Sequence, residues 1–456
     1  ILSEVLIRLE YSPEGKFENR PTEFASFRKF NPPKFFIKNE KEYLTISTNY
    51  FKLEYQKEKP FYGTKLAPDI NLRVNLNNTD KIWYFGAPEA RNFKGTTYSL
   101  DNAEGSISFE KGLYSTDGFA SIDDSKSLIL NEDGSLIKRE DQRIDTYLFL
   151  YRKDFGFCLR DYFKLTGKPP LIPRYALGNW WNKNVAYTDK QIEELIENFK
   201  FHNIPLSVLL LNKNWHIMYD GTSAGFTFNY NLIDNPKELI DNLHNKHIHI
   251  GLNINPMEGI SPDEIAYSRF KQESKYEGEG IIPFNVYNPD MLNAYFDELI
   301  KPLYDFGTDF FWIDYNNPKN ISILRTLNRY HTDDFKRFYN KRPMILSRNG
   351  LIASHKYPIL YSGETIVSWK NLNLIPEFNS KSSNIGLSFW SHDIGGYKLG
   401  IEDPELYMRF VQLGAYSAIL RFSSDSSHYY KREPWRWDAK TNKIVRDYLR
   451  LRHRLI

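Results

Sequence analysis

The chain has 456 residues, 41% hydrophobic and 26% charged, with a formal net charge of +3, ordinary values for one large globular domain or two smaller ones. The near balance of charge argues against a nucleic-acid partner, and no apolar run approaches the ~20 residues of a membrane span. A single cysteine, Cys158, excludes an internal disulfide framework and any multi-cysteine zinc site.

The chain opens at Ile1 within what reads as a strand, "EVLIRLEYS". A leader removed and a leader never present look the same from here, so the compartment is not readable. The first ~150 residues have no strong helical periodicity. In "YLTISTNYFKLEY" apolar residues alternate at Leu44 and Ile46, then at Phe51, Leu53 and Tyr55. Asp117-Gly118 and Asp133-Gly134 supply turn signals, and an antiparallel β-sandwich is expected. A short helix around "KDFGFCLRDYFKLTG" follows, with Cys158 on its apolar face. Pro169, Pro170 and Pro173 then stiffen the chain, and the boundary is placed so that 1–168 form the N-terminal domain with its linking helix and 169–456 a second domain.

Beyond the prolines the pattern alternates between strand and helix. "YALGNWW" reads as a strand. Thr188 with Gln191 forms a capping box ahead of Ile192, Leu195, Ile196 and Phe199. "PLSVLLLNKNW" is the second strand, and Asn235-Pro236 opens a helix carrying Leu239, Ile240 and Leu243. "HIHIGLNINP" is the third strand, and Leu292, Tyr295, Phe296 and Leu299 stripe a further helix. "FFWIDY", "PMILSR", "PILYSGE", "IGLSFWSHD" and "YSAILRF" are the fourth to eighth strands, and a helix over "NKIVRDYLRLRHRLI" closes the chain. Eight strands alternating with helices predict a (β/α)8 TIM barrel after the β-sandwich. A doubly wound open sheet is the competing reading, but "NWWNKN" is not the glycine-rich turn it needs after its first strand.

In such barrels chemistry gathers at the C-terminal strand ends. Those ends offer Trp180 and Trp181, then Asn212, Asn214 and Trp215, then Asn255, Trp312 and Asp314. Arg348, Glu364, His392, Asp393 and Arg421 complete the set. Aromatic faces, amides, two arginines and three carboxylates suit a neutral polyhydroxylated ligand. The 16% aromatic content fits either stacking surfaces of that kind or simply core area. Carboxylates on separate strands suggest a paired acid and nucleophile, each of which alone reads as a solvated loop acid. "HNKHIH" brings His244, His247 and His249 together without an adjacent carboxylate cluster, so no metal site is expected. No phosphate loop, zinc-protease helix or nucleophile-elbow serine is visible.

Over nearly its whole length the chain resembles glycoside hydrolase family 31. "GTTYSLDNAEG" and "GLYSTDGFASIDDS" are similar to that family's N-terminal β-domain, and "KLTGKPPLIPRYALGNWWNK" to its entry into the barrel. "FFWIDYNN", "LSRNG", "YSGETIVSW" and "FWSHDIGGY" follow in the order of its nucleophile, arginine, acid/base and succeeding strands. The resemblance implies a retaining α-glycosidase, hydrolysing or transferring α-linked glycosyl residues without a metal or organic cofactor. Asp314 becomes the nucleophile and Glu364 the acid/base. Asn212, Trp312, Arg348, Trp180, His392, Asp393 and Arg421 form the expected substrate-binding set.

Three positions depart from the family pattern. The acid/base position, usually Asp in a Trp-Ser-Gly-Asp run, is Glu364 in "YSGE". The second strand, usually ending Asp-x-Asp, has Asn212 and Asn214. The last strand, usually ending Arg-x-His, has Ser423 two residues after Arg421. Two readings stay open on these residues: an enzyme with shifted substrate preference, or an impaired family member that binds a glycan or scaffolds a partner. Family members also continue into C-terminal β-domains beyond the barrel. Their absence here leads to the expectation of a missing segment or second chain covering that face.

Overall fold

A computed structural model describes residues 1–62, 70–89, 91–132, 134–139, 142–218, 225–339, 341–348 and 350–456, with backbone alone for 334–339, and the statements below refer to these residues. Asp133 of one expected turn and Asn349 of "LSRNG" lie outside them. The chain forms two compact units: Ile1–Thr96 with Phe109–Pro169 and Ser380–Leu387, and Thr97–Ser108 with Pro170–Asn379 and Ser388–Ile456. The stretch around "YSLDNAEG", read from sequence as part of the β-domain, therefore clusters with the barrel.

The first unit is built on antiparallel sheets. Strands Phe36–Asn39, Tyr43–Ser47, Phe51–Gln56, Leu72–Leu76 and Ile82–Tyr84 form a five-stranded sheet in chain order. Ile144–Leu150 lies between Leu6–Tyr11 and Phe119–Asp123 in a second sheet. The alternation seen in sequence is realised: Phe51 and Leu53 meet Val74, Trp83, Ile7 and Leu148 in one apolar cluster, with Tyr55 packed against it. The first strand of the larger sheet lies at its edge, and Phe36 and Ile37 on it are exposed.

The second unit is a closed barrel of eight parallel strands in chain order. They are Asn179–Lys183, Val208–Leu211, His249–Ile254, Phe310–Ile313, Ile345–Arg348, Leu360–Tyr361, Trp390–Ile394 and Ile419–Phe422. Side chains alternate across the sheet with period two. Trp180, Val208, Leu210, Phe310, Trp312, Leu346, Tyr361 and Ile419 fill the inside. Trp181, Leu209, Ile250, Phe311, Ile345 and Leu420 face the surrounding helices instead. Gly251 makes room inside, since a Cβ there would lie 2.4 Å from the Phe310 ring.

The helix caps behave as the sequence predicts. Thr188 and Gln191 close a reciprocal capping box at helix Asp189–Phe201, and Asn235 caps Pro236–Asn245. Two segments differ from expectation. Arg174–Leu177 is a 3-10 turn, so the first strand starts only at Asn179. The Leu292–Leu299 stripe is split into Pro289–Ala294, a π-helical Tyr295–Ile300 and Lys301–Phe306. Pro302 has no N–H with which to continue an α-helical ladder, and the π turn accommodates the break.

Candidate active site

A cavity of about 440 Å³ opens at the C-terminal strand ends, lined by Asn184, Asn212, Asn253, Asn255, Trp312, Asp314, Arg348, Glu364 and Tyr397 among others. Strand parity explains the gathering. Trp312 and Asp314 are two residues apart and share the inward face of the fourth strand. Leu346 and Arg348 do the same on the fifth, as Gly251 and Asn253 do on the third.

Arg348 is the hub. Its Nε donates to Asp314 Oδ1 at 2.5 Å. Its Nη1 donates to both oxygens of Asp101 at 2.9 and 2.8 Å, and its Nη2 to Glu364 Oε1 at 3.4 Å. The guanidinium is almost fully buried, which opposes its charge, but Asp314, Tyr361 and Asp101 outweigh that cost and raise its pKa above the ordinary value. The second oxygen of Asp314 accepts from Asn253 Nδ2 at 3.2 Å. The second oxygen of Glu364 accepts from Lys398 Nζ at 2.8 Å.

Asp101 ties down the loop that carries Glu364. The backbone N–H of Glu364 donates to its Oδ1 at 2.7 Å, and Asn316 Nδ2 to its Oδ2 at 3.1 Å. Burial raises the pKa of this carboxyl, but Arg348 and the Glu364 N–H prevail and hold it below its usual value. The backbone of the same segment runs along the residues that follow the sixth strand: Leu100 N–H donates to Ser362 O and Asn102 N–H to Glu364 O. Gly363 stands at φ +117°, where a Cβ would fall 2.5 Å from Ser99 Oγ. Only glycine suits that left-handed, crowded position.

Below the cavity lies a buried polar layer. Arg421 donates to Asp393 Oδ1 at 2.5 Å, to Ser391 Oγ at 2.8 Å and to Asn182 Oδ1 at 3.1 Å. Tyr361 donates its hydroxyl to Asp393 Oδ2 at 2.9 Å, and Ser423 to Asn182 Oδ1 at 2.9 Å. Burial raises the Asp393 pKa, with Arg421 opposing. The Arg421 guanidinium sits 4.7 Å from the Tyr361 ring centroid and 5.6 Å from that of Trp312, bracing the cavity floor. Trp312 itself is 2% exposed, and its indole N–H has no hydrogen-bond partner among the described residues. That donor is available to an acceptor on a bound ligand.

The predicted site residues thus separate by depth and by face. Asp314, Glu364, Arg348, Trp312 and Asn212 line the cavity. The Oδ1 of Asn212 is already engaged by the Lys213 N–H at 2.8 Å. Asp393 and Arg421 support the floor from beneath. Trp180 is fully buried deeper in the barrel, against Phe310, with its indole donating to Ala176 O. His392 faces the helices, within 2.9 Å of both Ser362 Oγ and Asn379 Oδ1, and burial with nearby Arg421 pushes its pKa down to about 3. Neither Trp180 nor His392 lines the pocket. Sequence reasoning missed Asp101, Asn253, Lys398 and Tyr397. The parity of "GLNIN" points to Asn253; nothing local marks the other three.

A family model for the glycosyl hydrolases family 31 TIM-barrel domain matches residues 169–456. The chain is 25% identical over 401 residues to an alpha-xylosidase of Saccharolobus solfataricus, covering 79% of this chain and 52% of the relative. It is 26% identical over 352 residues to alpha-glucosidase 2 of Bacillus thermoamyloliquefaciens, covering 68% and 44%. It thus spans about half the length of these curated relatives. Among solved structures, a GH31 dextranase of Flavobacterium johnsoniae complexed with glucose superposes with a TM-score of 0.74 at 17% identity, covering 100% of this chain and 65% of that one. A GH31 alpha-xylosidase from a soil metagenome complexed with xylose gives 0.74 at 14% identity, covering 100% and 81%. The extent of the barrel match settles the assignment: the chain belongs to glycoside hydrolase family 31.

Proposed function

We propose that this pocket is the site of a retaining α-glycosidase, with Asp314 as nucleophile and Glu364 as acid/base. The observation that carries the reading is that one guanidinium, Arg348, holds both carboxylates on the wall of one cavity at the C-terminal strand ends. The relatives named above as an alpha-xylosidase, an alpha-glucosidase and a dextranase support the substrate class, an α-linked glycoside or oligosaccharide.

In the first step an oxygen of Asp314 attacks the anomeric carbon while Glu364 gives its proton to the departing glycosidic oxygen. Arg348 and Asn253 each engage one oxygen of Asp314, so its attacking position is set before substrate arrives. In the second step Glu364, now ionised, takes a proton from water or from a sugar hydroxyl, which attacks the glycosyl ester and restores the α configuration. Lys398 donates to Glu364 Oε2 at 2.8 Å and holds that oxygen in place. The extra methylene of Glu364 relative to the family's usual Asp is matched by anchors of its own, the Asp101–N–H bond and Lys398.

The test is hydrolysis of a panel of aryl α-glycosides, α-xylosides and α-glucosides first, with the anomer of the initial product read by NMR. The expected product is the α anomer. Asp314→Ala should lose roughly 10⁴-fold or more in kcat. An activity untouched by Asp314→Ala, or a β product, would overturn the mechanism.

A further inference from the structure

At the opposite end of the barrel from these acids, three side chains that sequence alone does not bring together converge. His244 lies in the last turn of helix Pro236–Asn245, His249 opens the third barrel strand, and Asp309 immediately precedes the fourth. His244 Nε2 is 2.9 Å from Asp309 Oδ2, and His249 Nδ1 is 2.8 Å from Asp309 Oδ1. One donor atom from each residue lies within 4.8 Å of the other two. His247, the third histidine of "HNKHIH", is exposed at φ 59° and is not part of this group.

The surroundings fix the three groups in place while leaving them accessible. The Ile250 N–H donates to Asp309 Oδ2 at 2.8 Å, so the carboxylate is anchored to the barrel backbone. Tyr175 stacks on the His249 ring with centroids 3.7 Å apart and planes 17° from parallel. Both imidazoles remain about a third exposed, at 35% and 32%. They open onto a cavity of about 500 Å³.

We propose that His244, His249 and Asp309 form a binding site for a divalent transition metal of the zinc class, with water or a small anion as fourth ligand. Two imidazole nitrogens and one carboxylate oxygen are a donor set that zinc accepts and that magnesium and calcium, which favour all-oxygen shells, do not. At metal–ligand distances of about 2.0–2.2 Å tetrahedral donors stand slightly further apart than hydrogen-bonded atoms. Seating the ion therefore lengthens the two His–Asp contacts a little and displaces the ring protons that now bridge them. Arg174, Lys341 and Arg342 on the same cavity wall favour an anion in the open position. The ion would join a helix to the starts of two neighbouring strands, far from the acids, so it acts on stability and not on the reaction.

The test uses the whole chain freed of any histidine tag. Zn²⁺ is titrated by calorimetry, and Co²⁺ by visible absorption. One Zn²⁺ per chain, a raised thermal midpoint, and the intense visible band of four-coordinate cobalt are expected. His244→Gln and Asp309→Asn should each weaken binding by about tenfold or more, while His247→Ala leaves it unchanged. Should Asp309→Asn fail to fold, His244→Gln and the wild-type cobalt spectrum decide. Substoichiometric binding, a six-coordinate cobalt spectrum, or affinity indifferent to His244→Gln would overturn the site and leave only a hydrogen-bonded latch.

Discussion

Asp101, which sequence does not mark, shows how a single side chain conditions the whole site. It accepts two hydrogen bonds from one nitrogen of Arg348 and one from the backbone of Glu364. Its substitution therefore disturbs both the guanidinium that orients Asp314 and the loop that carries Glu364. Asp101→Asn keeps the shape but places an amide donor where Arg348 or Glu364 also donates. Steady-state kinetics should show kcat/KM reduced by about 10–100-fold, the magnitude typical of a supporting residue, with the loss falling mainly on kcat. The held-down pKa of Asp101 carries a sign as well. Its stabilising contribution is complete above its unfolded value near 3.8 and is lost as pH falls below that.

At the scale of the element, strand parity governs what could be read in advance. Apolar runs such as "VLLL" and "FFWI" identified the strands, and in a closed barrel the residues two apart must share a face. That rule correctly groups Trp312 with Asp314. It also removes His392, which alternates with Ser391 and Asp393 and so points at the helices. Trp180 has the right parity but lies a layer too deep, with Asn182 above it on the same strand. Depth along a strand depends on barrel stagger, which a single sequence does not display. Asp101 and Lys398 were illegible for another reason: both enter the site from segments outside the eight strands, and only the closed fold brings them to Glu364.

The elements also set an acid sensitivity. His392, between the seventh strand and the following packing layer, and His331, hydrogen-bonded to the Tyr295 hydroxyl, are both buried, and burial lowers each to about 3 from an ordinary 6.5. Below pH 6.5 the unfolded chain binds protons that the native barrel refuses. Stability is therefore fully present above about 6.5 and declines toward pH 3. Each histidine adds a slope of up to ~1.4 kcal/mol per pH unit in that window. Denaturant melts at pH 7, 6 and 5 should show this decline, and His392→Asn, which preserves hydrogen bonding without a titrating ring, should flatten it by about half.

On the scale of the whole molecule, the two units rely on different interiors. The barrel sets aromatic and aliphatic layers beneath the single buried Arg421–Asp393 pair, whereas the N-terminal unit carries a buried cluster of several ions. Asp145, fully buried, accepts from Arg8 at 2.8 Å and from Arg139 at 3.0 Å, and Arg28 lies 3.4 Å away. Arg8 also meets Glu10 at 2.8 Å, and Arg28 and Arg139 meet Asp124 at 3.1 and 3.5 Å, so removing Asp145 leaves three buried cations to share two carboxylates. Asp145→Ala should cost about 3–5 kcal/mol, read as a lower denaturation midpoint of the N-terminal unit by tryptophan-independent circular dichroism.

The edge strand Phe36–Asn39 has a consequence for how the protein fails. The barrel, closed on itself, offers no free row of amides and carbonyls to another chain. The five-stranded sheet does, along a short strand whose Phe36 and Ile37 are 78% and 58% exposed. Lys38 is the single charge on that strand, and it acts as a gatekeeper against strand-to-strand addition. Aggregation on heating should accordingly begin at the open sheet while the closed barrel is still intact.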